Sequence, residues 1–176
     1  SALAEQVVAD AIASAFDSAG QRCSALRILC LQEDIAARTL TMLRGALRQL
    51  TVGNPALLST DVGPVITPAA RDAILRHVAA MQARGHAVDT LKLPGSTARG
   101  SFVAPTIIEI GRIADVGGEV FGPVLHVLRY RREELDGLID AINATGYGLT
   151  FGLHTRIDET VARVVERIRA GNIYVN

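Results

Sequence analysis

Gly20-Gln21-Arg22-Cys23-Ser24-Ala25-Leu26-Arg27 lies between a run of helical periodicity and a short apolar run. Upstream, Leu3, Val7, Val8, Ala11, Ile12, Ala15 and Phe16 recur at helical spacing and predict an amphipathic helix over residues 2 to about 18. Gly20 follows where a left-handed residue closes a helix. Downstream, Leu26 to Leu31 reads as a buried strand, with Cys30 at an apolar, core-type position. Helix, glycine turn and strand in succession are the building unit of a layered α/β domain. The turn also presents Cys23 on rigid flanks, as a nucleophilic thiolate requires, and Arg22 beside it could favour the thiolate. Taken alone, a lone cysteine in a chain of this kind is more often a small buried hydrophobe.

The alternation continues along the chain. A helix is predicted from about Asp34, which can cap it, with Ile35, Leu40, Leu43, Leu47 and Leu50 on one face. Thr51 to Thr67 has the glycines, prolines and Asn54 of a loop. Thr67-Pro68 opens the next helix, whose apolar stripe is Ile74, Leu75, Val78 and Met81 and whose end is Gly85. Ala87 to Leu93 reads as a strand. Phe102 to Ile110 reads as an extended segment, at a sheet edge or only partly paired because Pro105 has no N–H. Val124 to Tyr130 is a strand, and Glu133 and Glu134 head a helix carrying Leu135, Leu138, Ile139 and Ile142. A glycine-rich turn and strand cover Asn143 to Leu153. Thr155 and Asp158 have capping-box-like spacing before a helix with Ile157, Val161, Val164, Val165 and Ile168, ended by Gly171. Asn172 to Asn176 is a last strand. The expectation is an α/β fold: three layers, a mainly parallel sheet flanked by helices.

Composition excludes several classes. The 176 residues suit one domain with a sizeable core, and 49% are hydrophobic while only 4% are aromatic. Lys plus Arg equals Asp plus Glu at 18 each, so no global field recruits nucleic acid or an acidic membrane. No apolar run approaches the roughly 18 residues of a membrane span. Two cysteines without framework spacing point to a reducing, cytoplasmic setting. The histidines at 77, 86, 126 and 154 lack ligand spacing, so no metal is expected. No Gly-x-Gly-x-x-Gly follows a strand, so an independent dinucleotide-binding domain is absent from these residues.

Phe16-Asp17-Ser18-Ala19-Gly20-Gln21-Arg22-Cys23-Ser24-Ala25-Leu26-Arg27 resembles the catalytic-cysteine motif of the aldehyde dehydrogenase superfamily. Its Gly-Gln-Arg-Cys-Ser-Ala form is similar to the branch that oxidises glutamate semialdehyde, the open form of 1-pyrroline-5-carboxylate. That branch includes the C-terminal module of bifunctional proline utilization A proteins, which Leu3 to Val8 also resembles. Gly117-Gly118-Glu119-Val120-Phe121-Gly122-Pro123-Val124 is, on local signals, an ordinary loop with an exposed acid. It resembles the superfamily's Glu-x-Phe-Gly-Pro-Val motif, although Gly118 stands where the family often has a second acid. Val52 to Pro55 with Asp61 to Ile66, Phe102 to Thr106, Tyr147 to Thr150 and Ala170 to Asn176 are similar to further family segments.

The resemblance implies an aldehyde dehydrogenase catalytic domain over residues 1–176, truncated at both ends and lacking the NAD-binding domain. Cys23 would be the nucleophile, and its backbone N–H an oxyanion donor. Ser24, with Arg22 as a weaker electrostatic candidate, would help bind substrate. Glu119 would hold the nicotinamide ribose of NAD and Phe121 would pack near its ring. FAD would be present only with a proline dehydrogenase module. The partner would be a small aldehyde, the parent a homo-oligomer, and the isolated chain inactive. Two alternatives stay open: another aldehyde dehydrogenase branch, or a non-catalytic α/β assembly domain.

Overall fold

Val124, Leu125 and Val127 are fully buried, and their strand is the centre of the molecule. The computed structural model describes residues 1–176. It comprises α1 (Ala4–Phe16), β1 (Ile28–Gln32), α2 (Glu33–Leu47), α3 (Pro68–Ala83), β2 (Val88–Thr90), β3 (Thr106–Ile110) and β4 (Val124–Tyr130). These are followed by α4 (Leu135–Ala144), β5 (Thr150–Leu153), α5 (Asp158–Arg167) and β6 (Asn172–Val175). The main sheet has the order β1-β4-β3-β2. Strand β4 pairs in parallel with β1 (Ile28 opposite His126) and with β3 (Thr106 opposite Val124), while the short edge strand β2 runs antiparallel to β3. A parallel strand covered on both faces needs a nearly continuous apolar run, and Val124-Leu125-His126-Val127-Leu128 departs from that only at His126. The expected α/β fold is present, but as two sheets: β5 and β6 form a separate parallel pair.

The main core joins α1, α2 and the sheet through Val8, Phe16, Leu40, Leu43, Ile107 and Leu125. A small second core of Ile139, Val164 and Ile168 holds α4 and α5 with β5 and β6. That unit is reinforced by ion pairs of Asp136 with Arg163 and Arg167, and of Asp140 with Arg167 at 2.8 Å. Asn143 bridges the same helices, donating to the Arg167 carbonyl at 3.0 Å and accepting from the Arg169 N–H at 2.9 Å. A cleft of about 1580 Å³ runs between α1–β1 and this unit.

Several local expectations are corrected. Asp34 does not cap α2: the chain passes from β1 into the helix without a loop, Gln32 is the N-cap, and Asp34 accepts from the Gln32 amide at 2.7 Å. Thr155 and Asp158 form no capping box, because Ile157 is the N-cap of α5 and the Thr155 hydroxyl pairs with Ser1 at 2.6 Å. Leu75, Ile157 and Val165 are exposed rather than core. Helix α5 ends at Arg167, four residues before Gly171, since Ile168 turns extended to enter the small core. Cys30 packs against the main core, its thiol desolvated, although its residue as a whole is only half-buried because β1 is an edge strand. The segment containing Pro105 is only partly paired, as expected: the strand pairing to β4 begins one residue later, at Thr106, although β3 itself lies inside the sheet rather than at its edge. Pro68 at the start of α3, with the Thr67 hydroxyl accepting from Ala70 N–H at 3.1 Å, is as expected.

His126 is the one polar side chain in the buried run of β4. Its Nδ1 lies 3.2 Å from the Arg27 carbonyl, which can only accept, so Nδ1 carries the proton. Its Nε2 then accepts from His77 Nε2 at 2.9 Å. Burial, with smaller contributions from His77, His86 and Arg27, drives its pKa down to about 4. A histidine kept neutral by the fold charges first in the unfolded chain, whose pKa is near 6.5. Stability is therefore fully present above pH 6.5 and is lost as pH falls toward 4, by about 3 kcal/mol from this group. Urea midpoints measured from pH 7 to 4 should fall accordingly, and His126→Gln should flatten that dependence.

Candidate active site

Helix α1 ends at Phe16, and the next residues reverse the chain in a left-handed turn. Ser18, Ala19 and Gly20 take φ of 56°, 54° and 65°, a succession that glycine alone adopts without strain. Ala25 N–H donates to the Arg22 carbonyl at 3.1 Å, which leaves Cys23 and Ser24 as the two residues at the tip of the following turn. Leu26 N–H donates to both the Ser14 carbonyl and its hydroxyl, fastening the far end of the turn to α1. The Gln21 side-chain oxygen accepts from Ile66 N–H at 2.9 Å, tying the turn to the 51–67 loop.

Cys23 is exposed, and neither its backbone N–H nor the Ser24 hydroxyl has a hydrogen-bond partner within the chain. Cys30 differs in chemistry as well as place: desolvation pushes its thiol up to about 12. Arg22 points away from the role envisaged for it. Its guanidinium donates to the Ala13 carbonyl at 2.9 Å and the Ser14 carbonyl at 3.2 Å, where it satisfies the end of α1.

The second motif arrives at the same place from 96 residues further along the chain. A loop hinged at Gly117, with φ of 75°, leads into Glu119-Val120-Phe121-Gly122. Upstream, Asp115 fastens the loop by accepting from Arg112 Nε and from the N–H groups of Gly111 and Arg112, and these bonds hold its carboxyl below the usual range. The two turns meet backbone to backbone. A Cβ on Gly20 would lie 2.2 Å from the Gly122 carbonyl oxygen, and one on Gly122 would lie 2.3 Å from Ile74 Cδ1.

Arg27 and Tyr147 complete the junction, and the sequence reading assigned a role to neither. Arg27 donates to the Gly20 and Arg22 carbonyls at 2.6 and 2.9 Å and to Glu119 Oε1 at 3.0 and 3.2 Å. It also stacks 4.8 Å from the centre of the Phe121 ring. The Tyr147 hydroxyl accepts from Glu119 N–H at 3.3 Å. The available signal for Arg27 was its place at the end of the cysteine motif, one short turn beyond the candidate nucleophile; for Tyr147 it was the family-like segment Tyr147 to Thr150.

Cys23, Ser24, Arg27, Glu119, Phe121 and Tyr147 all border the large cleft. Glu119 keeps its second carboxylate oxygen free of any partner in the chain, and Phe121 is 45% exposed. A free carboxylate oxygen suits a sugar hydroxyl, and an exposed aromatic face suits a flat heterocycle, so these residues could hold a ligand that carries both.

The comparisons with known proteins agree along the whole chain. The profile described as "Aldehyde dehydrogenase family" matches residues 1–176. A Klebsiella aerogenes protein named bifunctional protein PutA is 58% identical over 181 residues, covering 100% of this chain and 14% of its own length. A Bacillus cereus protein named 1-pyrroline-5-carboxylate dehydrogenase is 33% identical over 172 residues, covering 94% of this chain and 32% of its own. A crystal structure of bifunctional proline utilization A superposes with a TM-score of 0.94 at 47% identity, covering 99% of this chain and 17% of that one. The chain thus spans about one seventh of the PutA relatives it matches.

Two outcomes test the geometry. Gly20→Ala should destabilise the protein by more than about 2 kcal/mol, through left-handed strain and collision with the Gly122 carbonyl. Gly85→Ala, also left-handed but with open space around it, isolates the strain, and equal losses in thermal melts would refute the contact. With iodoacetamide at pH 8, Cys23 should be labelled at least about tenfold faster than Cys30, whose raised pKa leaves almost no thiolate. Peptide mass analysis over time would read both sites.

Proposed function

Because the chain belongs to the aldehyde dehydrogenase family, we propose that it carries the nucleophile of an enzyme oxidising glutamate γ-semialdehyde, the open form of 1-pyrroline-5-carboxylate, to glutamate. The observation that carries this reading is the locked junction between the exposed Cys23 turn and the Glu119–Phe121 loop, both opening on one cleft. The names and identities of the relatives support the substrate.

In this reading the Cys23 thiolate attacks the aldehyde carbon. A carbon–sulfur bond forms and the carbonyl electron pair moves to oxygen, where the free Cys23 N–H can donate to it. Conversion of the resulting thiohemiacetal into a thioester needs a hydride acceptor, which NAD would supply if held by Glu119 and Phe121. Water then cleaves the thioester, releasing glutamate and the Cys23 thiol. Glu119 offers its free oxygen to a ribose hydroxyl, and the Phe121 face limits the tilt of the neighbouring ring. Ser24, unpartnered at the turn tip, donates to the substrate carboxylate. Arg22 acts through the turn, by anchoring α1, rather than on the substrate.

The dinucleotide domain and the base that activates water lie outside these residues in this reading, which leaves the isolated chain inactive. FAD belongs to a separate proline-oxidising module. The exposed Tyr147, Leu149, Tyr174 and Val175 support assembly through the β5–β6 unit. No helix is long and apolar enough to cross a membrane, in keeping with a cytoplasmic enzyme.

The test is NADH formation from glutamate semialdehyde by the full-length enzyme. Cys23→Ala should abolish it, and Ser24→Ala should raise KM for the aldehyde by about tenfold, the worth of one hydrogen bond to a charged group, with a smaller effect on kcat. Retained turnover in Cys23→Ala would overturn the assignment.

A further inference from the structure

We infer that Arg27 is the positioning residue that sets the distance between the nucleophile and the cofactor-binding loop. The inference rests on the proposed roles of Cys23 and Glu119. It starts from an arginine that is largely withdrawn from solvent, its side chain only 18% exposed. A cation so placed must be matched by fixed acceptors, and Arg27 makes four hydrogen bonds to three of them.

Two of the acceptors, the carbonyls of Gly20 and Arg22, belong to the backbone immediately before Cys23. That backbone includes the left-handed stretch at Ser18 to Gly20, which is strained and would relax if released. The third acceptor is Glu119 Oε1, and the face of the guanidinium lies against Phe121. One planar group therefore holds the nucleophile's turn with one nitrogen, the acid's carboxylate with another, and shares its third between them. Its base is held in turn, since the Arg27 carbonyl accepts from both His126 N–H and His126 Nδ1.

The division of Glu119 is the chemically telling detail. Arg27 engages one carboxylate oxygen through two donors, which anchors the group beside the turn and leaves the other oxygen without a partner in the chain, available to a ribose hydroxyl. Without Arg27 the carboxylate would lose its anchor to the turn, and turn and loop would lose the side-chain link between them. Hydride transfer would require a carbon on Cys23 to be held against a ring placed by Glu119 and Phe121, and a misplacement of about 1 Å in such geometry can cost on the order of 10²-fold. Lysine cannot substitute, because a single ammonium cannot reach two carbonyls and a carboxylate spread along a planar fork.

The experiment uses the full-length enzyme and NAD itself, with Arg27→Met, Arg27→Lys, Glu119→Gln and the doubles. Calorimetric Kd for NAD is read alongside single-turnover hydride transfer with deuterated aldehyde and the iodoacetamide rate at Cys23 without cofactor. Arg27→Met and Arg27→Lys should each raise Kd by about tenfold, the worth of a charge-assisted hydrogen bond. They should also alter the Cys23 alkylation rate, unmask a deuterium isotope effect, and in Arg27→Met respond to added methylguanidinium. Adding Glu119→Gln to either should raise Kd no further, because both changes disable the same contact. Should Arg27→Met fail to fold, Arg27→Lys keeps the charge and carries the test. Native Kd and native hydride transfer in the Arg27 variants, with Glu119→Gln impaired, would overturn this inference and leave the proposed function standing. An unimpaired Glu119→Gln would remove the cofactor role of Glu119 and the inference with it.

Discussion

The carbonyl oxygen of Gly122 occupies the space in which any residue but glycine at position 20 would place its Cβ. Everything distinctive about the site follows from that contact. Two loops almost a hundred residues apart touch through bare backbone, so neither can shift without the other. The contact needs a left-handed residue on one side, and the chain supplies three in a row there, only one of them glycine. Ser18 and Ala19 therefore hold a conformation that L-residues avoid, at about 1–2 kcal/mol each. Such strain persists where the surroundings over-determine it, here through Leu26 on Ser14, Gln21 on Ile66 and Arg22 on the last carbonyls of α1.

Packing beneath the junction explains its rigidity. Strand β4 follows Gly122-Pro123 directly and lies at the centre of the sheet, while β1 follows the cysteine turn and pairs with it in parallel. The two loops are thus the consecutive entries to neighbouring strands. His126 fastens the pair at its start by donating twice to Arg27, whose side chain then turns up into the junction. The imidazole is neutral there because burial disfavours its charged form, and the neutral ring keeps Nε2 as an acceptor for His77 while Nδ1 donates to Arg27.

The α4–α5 unit is held differently. Its three-residue core contributes little burial, and its ion pairs are largely exposed, where each contributes modestly. The cleft lies between this lightly built unit and the well-packed main sheet, with Tyr147 reaching from one to the Glu119 backbone of the other. Local opening, if it occurs anywhere, has its lowest cost there.

By itself the sequence determined the alternation of helices and strands, the two glycine-led loops and the family resemblance, because periodicity and turn chemistry are local and short motifs survive intact. It was misleading where one local signal had two readings. Asp34 and Thr155 have capping chemistry, yet each helix has its N-cap two residues away from the residue that carries it. Arg22 sits next to the cysteine in sequence, but its guanidinium goes to the carbonyls of α1, whereas Arg27, five residues on, reaches back over the turn. Which arginine faces the site depends on how a left-handed turn directs side chains, and no spacing rule encodes that. Tertiary structure alone decided that Gly20 and Gly122 touch, that Glu119 shares one oxygen with Arg27, and that His126 sits beneath them. Those contacts join residues separated by up to 102 positions, and they exist only once parallel strands bring their two entry loops to the same edge of the sheet.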